Sequence, residues 1–178
     1  FTPGSTDISG KKTWDDKDNQ DGLRPDKVTV NLLANGKKIK ELVVCDHTDW
    51  KYEFTNLDKF KEGKEVEYTI KEDDVEGYSK VIKGYDITNI HEVEKTTISG
   101  TKTWKDNNNQ DGIRPAGVEI KLLADGKATD YSVVLSEQNE WKHTWTGLQK
   151  YEFDKDGNGG KEIAYTVEES PVPNKYTA

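Results

Sequence analysis

Ser9-Gly10-Lys11-Lys12-Thr13-Trp14 returns ninety residues later as Ser99-Gly100-Thr101-Lys102-Thr103-Trp104. Asn19-Gln20-Asp21-Gly22-Leu23-Arg24-Pro25 returns as Asn109-Gln110-Asp111-Gly112-Ile113-Arg114-Pro115. Between residues 9–33 and 99–123, 15 of 25 positions are identical, so the chain is a tandem repeat. Further along, Trp50 matches Trp141, and Tyr68-Thr69-Ile70-Lys71-Glu72 matches Tyr165-Thr166-Val167-Glu168-Glu169. The growing offset places one inserted residue between Gly126 and Trp141 and six before Tyr165. Loops are where a repeated domain is expected to accept them. A period this long exceeds a solenoid unit and fits a whole domain. Two domains are expected, 1–93 and 94–178, joined through the polar segment 91–97.

Each domain reads as all-β. Val28-Thr29-Val30-Asn31-Leu32 alternates and runs into Asn35-Gly36, a hairpin-type turn. Trp50-Lys51-Tyr52-Glu53-Phe54 alternates aromatic and charged residues, as does Val66-Glu67-Tyr68-Thr69-Ile70 with apolar ones. Short alternating strands between turn signals predict a β-sandwich. The composition agrees. Only 31% of the 178 residues are hydrophobic, but five Trp, eight Tyr and four Phe supply core material that a disordered acidic chain lacks. A net charge of −8 argues against a nucleic-acid groove. No run of about 18 apolar residues suggests a membrane-spanning helix. One Cys excludes an intramolecular disulfide framework, and three His with one Cys are too few for a standard zinc site. No cofactor motif is present.

Strand parity marks the chemistry. Successive side chains alternate faces, so Ile8, Gly10, Lys12 and Trp14 share one face. Val66, Tyr68, Ile70 and Glu72 share another, as do Tyr85, Ile87 and Asn89. Each set is apolar or glycine except for Lys12, Glu72 or Asn89. If these faces point inward, a Lys, a Glu and an Asn enter one small core, where unpaired charge is costly. Strand-end positions or an ordinary hydrogen-bonded pair would be the bland explanation. The recurrence of Lys102 and Glu169 in domain 2 argues for a chemical reason.

The Lys-Thr-Trp opening, the Asn-Gln-Asp-Gly-x-Arg-Pro loop, the Tyr-Thr-x-x-Glu strand and the closing Ile87-Thr88-Asn89 resemble CnaB-type domains, the collagen adhesin B-repeats of Gram-positive cell-wall-anchored surface proteins. The resemblance covers nearly the whole chain. It implies an inverse immunoglobulin-like sandwich with a spontaneous isopeptide bond between a first-strand Lys and a last-strand Asn, promoted by a buried acid. Carried over by motif, these are Lys12, Asn89 and Glu72 in domain 1, and Lys102 and Glu169 in domain 2. Domain 2 departs from the pattern: the Asn expected near position 187 lies beyond Ala178. Asn174 is a poor substitute, so domain 2 is expected to lack its last strand. Chemically, burial favours the neutral amine that attack requires and the neutral carboxyl that can polarise an amide. Folding supplies the proximity.

Other clusters read as structural. Asp15, Asp16, Asp18 and Asp21 with Asn19 lack EF-hand spacing and are expected to form turns. Asp154-Lys155-Asp156-Gly157-Asn158-Gly159 begins like a calcium loop, but its twelfth position is Tyr165. Cys45 and His47 are replaced by Ser136 and Gln138 in the repeat, which argues against a thiol nucleophile. Trp50, Tyr52 and Phe54, with Trp141, His143 and Trp145, are expected on core faces rather than on a sugar platform.

The resemblance therefore implies a structural stalk or spacer repeat, extracellular and cell-wall-anchored as part of a longer protein, and not an enzyme. Its partners would be neighbouring repeats, while another region of the parent binds host matrix such as collagen. The alternatives are a module that itself binds a host matrix protein or glycan, and a pilin subunit domain.

Overall fold

The computed structural model describes residues 4–178 and separates into two compact units, with Val93 closing the first and Glu94 opening the second. Unit 1 runs β1 (Ser5–Asp15), β2 (Lys27–Ala34), β3 (Lys37–Cys45), β4 (Lys51–Asp58), β5 (Phe60–Lys61), β6 (Lys64–Glu65), β7 (Tyr68–Glu72), β8 (Ser79–Lys83) and β9 (Asp86–Ile90). A four-stranded sheet of order β4-β1-β9-β8 faces a three-stranded sheet of order β3-β2-β7, and β5-β6 form a short ribbon. Between the sheets lie Ile8, Val30, Leu32, Val44, Phe54, Leu57, Ile70 and Ile87, all buried.

The first strand explains the site. Its first half pairs antiparallel with β4, from Ser5 opposite Asp58 to Lys11 opposite Lys51. Its second half pairs parallel with β9, with Lys12 opposite Ile87 and Trp14 opposite Asn89. Ile8 and Lys12 are buried, and Gly10 and Trp14 half-buried, on the face the alternation predicted. Gly10 sits where the backbone of Tyr85 and the Tyr52 ring press against β1; an added Cβ would collide with the Tyr85 carbonyl and come 2.7 Å from Tyr52 Cζ. Tyr52 donates its hydroxyl hydrogen to that same carbonyl. At Gly100, the repeat's counterpart, nothing lies closer than 3.9 Å. Gly10→Ala should therefore cost about 3 kcal/mol by overpacking, while Gly100→Ala should be nearly neutral, as measured by urea unfolding.

Unit 2 runs β10 (Lys95–Thr101), β11 (Gly117–Ala124), β12 (Lys127–Ser136), β13 (Lys142–Gln149), β14 (Tyr151–Glu152), β15 (Lys161–Glu162) and β16 (Tyr165–Glu169). Its sheets are β10-β13 and β12-β11-β16, with β14-β15 as the ribbon. Val118, Ile120, Leu122, Leu135, Trp145 and Leu148 form its core. β10 stops at Thr101, whereas β1 continues to Asp15 alongside β9.

Three sequence expectations need correction. The single inserted residue enters a strand: β12 has ten residues against nine in β3 and bulges opposite Lys121–Leu123. Thr129 Oγ1 fills that bulge, donating to the Leu122 carbonyl at 2.8 Å and accepting from Tyr131 N at 3.1 Å. Trp50 precedes β4 and has φ 55°, because the chain leaves a 3-10 turn there; its ring still meets Trp14 edge-on at 5.3 Å. Val66 likewise lies before β7. The six-residue insertion does form a turn between β14 and β15, where Asp154 Oδ1 accepts from Asp156 N and Asn158 N.

Candidate functional site

Parallel pairing of β1 with β9 sets Asn89 beside Trp14, two positions along from Lys12 on the same inward face. Glu72 ends β7 in the facing sheet, opposite Val30. The sandwich thus closes a first-strand Lys, a last-strand Asn and a carboxyl from across the core. Lys12 and Glu72 are each 4% exposed and Asn89 is 1% exposed.

Glu72 bridges the other two. Its Oε1 accepts from Asn89 Nδ2 at 2.7 Å, and its Oε2 lies 3.5 Å from Lys12 Nζ. The Lys12 ammonium also reaches the Thr13 carbonyl at 3.3 Å and sits 3.8 Å from the Trp14 ring centroid. Burial pushes the Lys12 pKa down to about 8, against the opposing pull of Glu72. At this site two buried acceptors, Glu72 Oε2 and Asn89 Oδ1, have no hydrogen-bond donor.

Unit 2 brings Lys102 and Glu169 together, with Nζ 2.9 Å from Oε2. Lys102 lies 4.4 Å from the Trp104 ring centroid, repeating the Lys12–Trp14 arrangement. The second Glu169 oxygen has no hydrogen-bond partner, and Asn174 is exposed.

The Asp-rich loop is structural in a way that spacing alone did not reveal. Asp16 is buried, accepting from Arg24 Nη2 at 2.6 Å, Arg24 Nε at 3.1 Å, Tyr78 Oη at 2.7 Å and Asn19 N at 3.0 Å. Desolvation raises its pKa, but these donors outweigh it and hold the carboxyl below its usual range. Lys17, Asp18 and Asn19 adopt positive φ, as do Asn107, Asn108 and Asn109, which explains the Asn and Asp content of both loops. Asp106, Arg114 and Tyr176 repeat the cluster. The signal was present in the repeated Asp, Asn, Arg and Tyr positions. Tyr78 also packs edge-on against Trp14 at 5.1 Å, so this cluster buttresses the ring beneath Lys12.

The remaining candidates fall outside the chemistry. Tyr52, Phe54 and Trp145 are buried, Trp50 and Trp141 pack against the cores, and His143 lies 4.8 Å from the Trp145 ring. Cys45 precedes a 3-10 turn closed by Thr48 Oγ1; Ser136 and Asn139 build the same turn in unit 2.

The Cna protein B-type domain model matches residues 8–90 and again 98–178. A collagen adhesin of Staphylococcus aureus is 51% identical over 177 residues, which is 99% of this chain and 14% of that protein. The chain therefore spans about one-seventh of that relative's length. Among solved structures, a single B repeat unit (B1) of the collagen-binding surface protein of S. aureus is 50% identical, with a TM-score of 0.50 over 98% of this chain and 90% of that one. A structure of two such units is 51% identical, with a TM-score of 0.51 over 99% of this chain and 46% of that one.

Proposed function

This chain belongs to the Cna protein B-type domain family, and from that premise we propose that it is a load-bearing spacer of a surface adhesin whose first unit is locked by a self-generated Lys12–Asn89 amide. Domains of this family are structural parts of adhesins and pilins, not enzymes. The observation that carries the reading is Glu72, whose two oxygens address a buried amine and a buried carboxamide at once.

The chemistry follows from that placement. Neutral Lys12 Nζ attacks Asn89 Cγ and forms a C–N bond. Glu72 Oε2, 3.5 Å from Nζ, is placed to take the proton that the amine sheds, and Oε1, 2.7 Å from Asn89 Nδ2, lies beside the nitrogen that must leave. The C–Nδ2 bond then breaks. Glu72 relays the proton lost by the amine, and ammonia departs. No ATP or cofactor enters the balance. Because β1 and β9 are adjacent and parallel, opposite pulls on the two ends of the unit would shear them apart. The amide carries that load directly and takes the intervening chain out of the tension path.

Intact mass of the purified chain should fall short of the sequence mass by one ammonia, with Lys12 and Asn89 recovered in one branched peptide after proteolysis. An unmodified mass would overturn the reading. The reaction should also depend on pH. Only the unprotonated amine attacks, so below about pH 8 the rate should drop roughly tenfold per pH unit, and above it should level off as Lys12 is already neutral. A rate that falls as pH rises through that range would remove Lys12 as the nucleophile. The parent protein, by this reading, is exposed at a Gram-positive cell surface, anchored in the wall, and holds its matrix-binding region outside this segment.

A further inference from the structure

We infer that Lys80 is a positioning residue for the linkage, holding Glu72 from across the open side of the sandwich; the inference rests on the cross-link reading. β8 is the edge strand of its sheet and β7 the edge strand of the facing one. Lys80 lies directly opposite Asn89 in the antiparallel β8–β9 pair, so the two side chains share the inward face. From there Lys80 Nζ crosses to the other sheet and donates to the Glu72 carbonyl at 2.6 Å.

The register explains why that carbonyl is available. Asp73 N donates to Thr29 O, which makes Val30 and Glu72 a non-hydrogen-bonded pair of the β2–β7 ladder. In such a pair the N–H and C=O point away from the partner strand, here out of the open edge of β7. Lys80 supplies the missing donor. Its second contact, to Asp74 Oδ1 at 3.1 Å, involves a fully exposed carboxylate and contributes little. The effect is local: one side chain ties the strand that carries Asn89's neighbour to the residue that must face Asn89. Near-attack geometry is sensitive to such displacement.

The test follows ammonia loss over time in chain made by cell-free synthesis and quenched with acid at intervals. Lys80→Met keeps the aliphatic stem and removes the donor; Lys80→Arg restores a donor. Linkage in Lys80→Met should be roughly tenfold slower, and Lys80→Arg should recover most of the wild-type rate. A Lys80→Met rate equal to wild type overturns the inference, as does an equal slowing in both variants, because that would assign the effect to packing. A wild-type chain that never loses ammonia overturns the cross-link reading itself, and this inference with it.

Discussion

Glu72→Gln should fold, keep all of its ammonia and lose about 4–5 kcal/mol of unit 1 stability relative to the wild-type chain. The substitution preserves shape, and the amide oxygen can still accept from Asn89 Nδ2 as Oε1 does. What it removes is the capacity to take a proton from the Lys12 amine and pass one to the leaving group. The stability figure comes from loop closure. A link from Lys12 to Asn89 closes roughly 80 residues of chain, and by the entropy relation used for disulfides this is worth about 4–5 kcal/mol. For a domain of this size that corresponds to a melting shift of about 20–30 °C, well beyond what a lost hydrogen bond gives. Asn89→Asp is the companion variant. It retains an electrophilic carbon but offers water instead of ammonia as the leaving group, so a linked product would show the same final mass as wild type. Full linkage in Glu72→Gln would take Glu72 out of the mechanism and leave desolvation of Lys12 as the whole driving force.

Parity made this site legible. Lys12, Glu72 and Asn89 interrupt alternating inward faces, and alternation is the property of a strand that sequence displays most directly. The repeat then separated accident from design, since Lys102 and Glu169 stand at matching places. What parity could not supply was pairing. Nothing in residues 5–15 says that β1 leaves β4 at Lys11 and joins β9 at Lys12, although that switch is what sets Asn89 beside Trp14, on the same face as Lys12. The residues of the Asp16–Arg24–Tyr78 cluster were marked by their repetition, but their contacts were not: the cluster joins residues up to 62 positions apart through a loop whose three consecutive positive-φ residues have no simple periodicity. The bulge at Thr129 was hidden because an insertion read from an offset has a sequence interval but no structural address.

The second unit should behave differently from the first: the 178-residue chain should lose one ammonia and not two, and should melt in two steps with unit 2 first. Lys102 and Glu169 are paired at 2.9 Å, but Oε1 of Glu169 accepts no hydrogen bond, while Oε1 of Glu72 accepts from Asn89. The pair therefore holds an amine and a carboxyl without the carboxamide that the reaction consumes. It should persist as an ion pair, and such pairs bring little stability for their desolvation cost. That gives a test independent of mass. Replacing Lys102 and Glu169 together by Met and Leu should leave unit 2 as stable as before or more so, because the desolvation cost removed matches or exceeds the attraction lost. The same double replacement at Lys12 and Glu72 should cost unit 1 the full worth of its covalent closure. Glu169→Leu alone should destabilise unit 2 by about 2 kcal/mol, since Lys102, only 14% exposed, would lose its partner. An amine-reactive label should modify Lys102 and spare Lys12, whose nitrogen would already be an amide. Recovery of Lys102 in a branched peptide, or two ammonia molecules lost, would show that unit 2 finds a carboxamide within this chain and that the pairing with Glu169 is only a way station to it.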